Sequence, residues 1–214
     1  MTVNVKGRGI RVEIAATYAS DIAITSVSLA SPGVATKVAH GLLDGAVGYW
    51  NTVVGMVQLE DQATRVYAKA ADTFQLQGLN TTNYSAFTSG NFKPVATWST
   101  LGEVTSYEIG GGSSDKLDVT TLLDVVKKEE LGLLPVQSVT MNVIAQDSPS
   151  AAMLLIEAAV QSQTKVTVRM TLPSGAVRIF RAEPSLPGEN VGVGSVGTGS
   201  MEFAVRGFVM KNVA

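Results

Sequence analysis

The run "GENVGVGSVGTGS" (188–200) is the stretch of this chain whose residue types and spacing most suggest a chemistry. Gly192, Gly194 and Gly197 spell G-x-G-x-x-G, the pattern of a loop that holds a dinucleotide pyrophosphate at a helix N-terminus. That use requires a strand before the glycines, a helix after them and an acidic residue about 20 positions on. Here the next residues, "GTGSMEFAVRGFVM", alternate as a strand does and carry no helical stripe. The spacing therefore predicts a flexible inter-strand loop, and no cofactor is expected.

His40 is the single histidine and there is no cysteine, so a Ser-His-Asp site would have to run through His40 and a Cys-His pair or thiolate metal site is impossible. It sits in "AHGLLDG", ahead of a glycine, without the H-x-H or E-x-x-H spacing of a metal site, and reads as a turn residue. Asp115, Asp118 and Asp124 share one segment, but their spacing lacks the alternating ligands and central glycine of a calcium loop. They read as solvated loop carboxylates. "KKEE" (127–130) is either a solvated charge cluster or a charge-matched contact to another copy. No acid/base constellation survives, and an enzyme is not expected.

The elements that would position these residues are mostly strands. Ile10, Val12 and Ile14 alternate in "KGRGIRVEIA", as do the apolar positions of "SVTMNVIAQ" (138–146) and "TKVTVRMTL" (164–172), and "PSGAVRIFRAE" (173–183) and "GSMEFAVRGFVM" (199–210) follow. Pro173 presets φ and Gly175 permits a positive φ, so 164–172 and 176–183 form a hairpin. One helix is predicted in "DSPSAAMLLIEAAVQSQ" (147–163), with Asp147 or Ser148 as N-cap, Pro149 at the first helical position, and Met153, Ile156 and Val160 on one stripe with Leu155 and Ala159. The reading is an antiparallel β domain with one covering helix, a mainly β, α+β fold.

Two regions stand apart. Residues 22–95 have their own rhythm of Val, Thr, Gly and aromatics, and "GGGSSDKLDVTTLLDVVKKEELGLLP" (110–135) is too long for an ordinary connection. Charged residues make up 16% of the 214 residues, well under the usual share of about 25%. Either part of the surface is hidden against copies of the chain, or the chain is a β protein rich in Ser and Thr. The net charge of −2, without a basic cluster, argues against gripping nucleic acid. "MTVNVKGRGIRVEI" lacks an apolar leader core and no apolar run reaches membrane length, so a soluble protein made in a cytoplasm, without membrane insertion, is expected.

The order of "GRGIRVEIAA", "GEVTSYEIGGGSSDKLDVTTL" (102–122), "GLLPVQSVTMNV", the capped helix and "TLPSGAVRIFRA" (171–182) resembles the major tail tube proteins of long, non-contractile-tailed bacteriophages. The likeness covers residues 1–21 and 96–214. Residues 22–95 are similar to a small β-barrel repeat of phage structural proteins and to the FCCH-like domain of ubiquitin-activating enzymes. His40, Gly41, Leu42, Gly45, Gly55, Met56, Leu59, Tyr67, Thr73, Phe74, Leu76 and Gly78 fall on its pattern, while Ala46 and Trp50 depart from it.

The resemblance implies a barrel-forming tail tube fold carrying an inserted small β domain, and hexameric rings stacked into a hollow virion tail tube through which DNA passes without sequence-specific contact. It also implies tape measure, tail initiator and tail terminator proteins as partners. The segment 110–135 becomes an assembly loop, unordered in the free subunit, whose Leu117, Val119, Leu122, Leu123, Val126, Leu131 and Leu133 are buried against neighbouring copies. The insert 22–95 is expected on the outer wall. Gly192, Gly194, Gly197 and Gly199 are expected to supply positive φ and close backbone approach where the chain re-enters the sheet. Rival readings are the inner tube of a contractile tail or secretion system, and a carbohydrate-binding adhesin module built on Tyr49, Trp50, Tyr67, Phe74, Tyr84 and Phe87.

Overall fold

A computed structural model of the chain describes residues 7–111, 114–132 and 136–212. Its first half contains β1 (Arg11–Tyr18), β2 (Ile22–Ile24), β3 (Ser26–Val27), β4 (Val34–Thr36), β5 (Val47–Val54), a 3-10 turn (Val57–Leu59), β6 (Ala63–Tyr67), β7 (Thr73–Leu76) and β8 (Ser89–Thr100). The second half contains β9 (Val104–Ile109), β10 (Lys116–Asp118), β11 (Glu129–Leu131), β12 (Ser138–Ile144), α1 (Ala151–Gln161), β13 (Val166–Thr171), β14 (Val177–Pro184) and β15 (Thr198–Asn212). The fold is mainly β with one helix, as the alternation predicts.

All strands but β10 and β11 join one curled antiparallel sheet, in the order β3-β4-β7-β6-β5-β8-β1-β13-β14-β15-β12-β9, with β2 also on β8. The long strand β8 makes this continuity. Its first residues pair with β5 and β2, and its last ones, from Val95 to Thr100, pair with β1.

Period two sorts β14 between two cores. Phe180 and Ala182 face one cluster with Val12 and Ile14 of β1, Val168 and Met170 of β13, Met201 and Phe203 of β15, and the helix. Val177 and Ile179 face the other, with Trp50, Phe74, Phe92 and Leu59 from the 22–95 segment. The hairpin β13–β14 turns at Gly175, whose φ is +81°, with its amide donating to the Leu172 carbonyl at 2.9 Å.

The helix buries Ala152, Met153, Ile156 and Ala159 into the first cluster. Its start is two or three residues later than the sequence suggests. Ser150, not Asp147 or Ser148, is the N-cap, and its hydroxyl accepts the Met153 amide at 3.2 Å. Pro149 thus stands just outside the helix. Ser150, extended at ψ 162°, is the residue whose hydroxyl meets the first free amides.

Candidate functional site

The ends of β9 and β12 organise the molecule. Pairing of Val104 with Val143 and of Ile109 with Val139 fixes which loops share an end. At the Val104/Val143 end lie the turn 101–103, the start of α1 and the glycine-rich loop that leads into β15. At the Ile109/Val139 end lie residues 110–111 and 136–137, the described flanks of the long segment between the two strands. The two features that the sequence singles out therefore occupy opposite ends of the same strand pair.

The glycine-rich run is followed by a strand, β15, not by a helix, so no helix N-terminus faces it. Of its five glycines, Gly192, Gly194, Gly197 and Gly199 differ in what they need. Gly194 alone has a left-handed φ, +78°. A Cβ on Gly199 would lie 2.1 Å from the Gly188 carbonyl oxygen, so only glycine permits that crossing. At Gly197 a Cβ would crowd Ala145 and Val191 at 3.0 and 3.1 Å, and at Gly192 it would meet the Ser195 hydroxyl at 3.1 Å. Asn190 and Thr198 exchange backbone hydrogen bonds across the loop, leaving Val191, Val193 and Val196 exposed at its tip.

The segment 114–132 forms a separate two-stranded hairpin, β10–β11, with Leu117 opposite Glu130. An unordered loop is thus corrected to a hairpin, because side chains close its turn. Asp118 accepts the Thr120 amide at 3.0 Å and its hydroxyl at 2.6 Å, and Asp124 accepts the Thr121 amide and hydroxyl, each at 2.9 Å. The Thr120 hydroxyl and amide hold the Asp118 carboxyl below its ordinary value. Asp124 is held down by Lys128 and then by Thr121, and Glu129 by Lys116 and Lys127. The three aspartates bind the turn together, with Asp115 accepting the Gly132 amide through its backbone carbonyl. Leu117, Val119, Leu122, Leu123, Val126 and Leu131 are all exposed on this hairpin, with Val125, and Leu133 lies outside the described residues.

A third feature is the face of β9, β12 and β15 that points away from the helix. Val139, Met141 and Val143 face the core, so Ser138, Thr140 and Asn142 face outward. Register places Ser106 and Ser200 beside Asn142, and Glu108 and Glu202 beside Thr140. The result is a lawn of hydroxyls, one amide and two carboxylates. Arg206, farther along β15, ion-pairs with Glu183 at 2.7 Å. Only the alternation of "SVTMNVI" hinted at this face in the sequence.

The 22–95 segment is fastened to β14 and β15 by buried polar contacts. Gln62 is fully buried, accepts the Phe208 amide at 2.8 Å and donates to the Phe208 carbonyl at 3.1 Å. Gly207, at φ +74° beside a register shift, lets it approach. Asp61 pairs with Lys165 and with Arg181 Nε at 3.1 Å, and the Arg181 guanidinium stacks 3.2 Å over Tyr49. Burial pushes the neighbouring Tyr18 phenol up, against the hydrogen bond from Thr167.

His40 is a buried turn residue. Its Nδ1 accepts the Leu42 amide at 3.0 Å, and its Nε2 lies 3.0 Å from the Ala70 carbonyl and 3.3 Å from that of Thr73. Both nitrogens are engaged, which fixes the proton on Nε2 and leaves no lone pair for a metal or a substrate proton. Of the six aromatics of the glycan reading, Trp50 and Phe74 are fully buried and Tyr49 nearly so, Tyr84 and Phe87 are half-buried, and Tyr67 is exposed.

This geometry is that of an interaction protein, with polar and apolar surfaces set at the two ends and on one face of a sheet. A family model described as phage tail tube protein, TTP, matches residues 54–208, well over half of the chain, and the chain belongs to that family. No curated protein matches it. It is a structural component of the bacteriophage tail tube and hence of the virion. Among the described residues no helix is long and apolar enough to cross a membrane.

Proposed function

We propose that copies of this chain close into rings, six to a ring by its family resemblance, and that the rings stack head to tail into a hollow tube that conducts DNA. The observation that carries the reading is the outward face of β9, β12 and β15. A channel for DNA needs a wall that hydrogen-bonds water, presents no free Lys or Arg to phosphate, and carries enough negative charge to prevent sticking. Ser106, Glu108, Thr140, Asn142, Ser200 and Glu202 supply such a wall. The outer edge of β9 is unpaired among the described strands, and an open edge is a template for pairing with a neighbour, which ring closure completes. Ring-to-ring contact is heterologous and propagates, so a tube grows without a natural end. Length control then falls to the partners the resemblance implies, a tape measure with initiator and terminator proteins.

In this reading the 22–95 insert sits on the outer wall, because a channel position would obstruct DNA. The hairpin residues Leu117, Val119, Leu122, Leu123, Val126 and Leu131, together with Leu133, contact neighbouring copies, and the glycines of 192–199 let β15 begin tightly packed. Changing Glu108 and Glu202 to Lys tests the wall. Assembled tubes of the double variant should retain short DNA duplexes at low salt, while unmodified tubes exclude them. Equal retention by both would place another face inward.

A further inference from the structure

Beside the start of α1, at the Val104/Val143 end of the sheet, lies a half-enclosed cleft of about 190 Å³. Its apolar walls include Val143, Met153 and Pro187, and its carboxylates are Glu103, Glu157 and Glu189, with no Lys or Arg among the lining residues. Glu103 is only 7% exposed, and its Oε2 is buried without a hydrogen-bond partner. A buried carboxylate oxygen left in that state is costly, and folded proteins keep such groups where a donor arrives from elsewhere. The positive N-terminus of α1 contributes about half a charge, which offsets only part of three carboxylates.

We propose that this cleft is the receptor for a lysine of the hairpin turn, Lys127 or Lys128, from a second copy of the chain in the next ring. The inference rests on the head-to-tail stacking described above and names the surface that stacking uses. Topology supports the pairing, since the hairpin leaves β9 and β12 at one end and the cleft opens at the other, so a shift along the strands brings the two together. Chemistry supports it as well. A lysine lays its methylene stem along apolar walls and carries an ammonium to the carboxylate at the base. Both lysine side chains are 63% exposed; Lys127 pairs with Glu129 and Asp118 in surface contacts that exchange readily, while Lys128 holds the more enclosed Asp124. The apolar tip around Leu122 and Val125 would then meet the exposed Val191, Val193 and Val196 of the loop that borders the cleft, covering both.

The chain has no cysteine, so introduced pairs report the contact cleanly. Glu189→Cys combined with Lys127→Cys or Lys128→Cys, assembled and then oxidised, should give a ladder of covalent oligomers on a denaturing gel, whereas each single variant stays monomeric. Glu103→Gln, close in shape to the parent, should raise the concentration needed for assembly roughly tenfold and flatten its salt dependence, as loss of one charged hydrogen bond requires. Tubes that form from both cysteine pairs without a ladder, with Glu103→Gln assembling like the parent, overturn the receptor while leaving the tube intact. An unmodified chain that forms no tubes removes the stacking premise and the receptor with it.

Discussion

Gly207 shows how much rests on one absent Cβ. Its φ of +74° is strained for any other residue, and an added carbon would sit 2.2 Å from Gln62 Oε1. Gly207→Ala should therefore lower stability by about 1–3 kcal/mol in urea denaturation, through strain and displacement of the Gln62 clamp. Gly192→Ala should change it by under about 0.5 kcal/mol, because that glycine lies outside the left-handed region and meets only a movable hydroxyl. Phe180, fully buried and edge-on to Phe203 at 6.1 Å, should cost about 3–5 kcal/mol on replacement by Ala. Residues like these divide by how local their cause is. His40 is legible in the sequence because a lone histidine before a glycine signals a turn, and the structure supplies its partners. Gln62 and Phe208 are 146 residues apart, and no pattern in either neighbourhood announces their bond. Glu103 reads as an ordinary polar residue opening a strand until the fold closes a cleft around it.

At the scale of elements, the period of two locates β12, β13 and β15 because each has one face in a core and one in a polar setting, and β14 because its alternate residues enter two different cores. The helix is equally legible, and only its cap differs, Ser150 in place of Asp147 or Ser148. The hairpin β10–β11 was not, since "DVTTLLDVV" has neither a clean alternation nor a glycine turn; its closure comes from Asp118 and Asp124 bonding threonines on either side. That origin has a pH consequence. The carboxyls of Asp118, Asp124 and Glu129 sit below their ordinary values of 3.8, 3.8 and 4.5 in the folded hairpin. Their stabilisation is thus complete above those values and lost as the pH falls through the lowered ones. Amide exchange at Val119, bonded to the Lys128 carbonyl, should be protected equally at pH 5 and pH 7, after correction for intrinsic rates, and lose that protection below about pH 4 while β13 and β14 keep theirs. Loss of protection already at pH 6 would contradict this origin. Deleting residues 112–130 should leave a folded subunit that cannot polymerise, and normal tubes from that deletion would remove the hairpin from assembly.

The whole molecule combines a polar sheet face, a sheet edge open among the described strands, an apolar hairpin carrying Lys127 and Lys128 at one end, and an acidic cleft at the other. The family places it in a phage tail tube, and in the proposed assembly the edge, hairpin and cleft meet neighbouring copies while the polar face meets the channel. The low charge content of the chain fits surfaces intended for burial between copies, and the contacts of buried Gln62 and half-buried Asp61 fit an insert held rigidly on the core. The account's central claim is that the chain builds a hollow tube with β9, β12 and β15 facing the channel. Electron cryo-microscopy of the purified protein, concentrated until it assembles, tests it most directly. The account predicts stacked rings around an open channel, with Glu108, Asn142 and Glu202 on its wall. Solid filaments, or a channel lined instead by residues of the 22–95 segment, would contradict it.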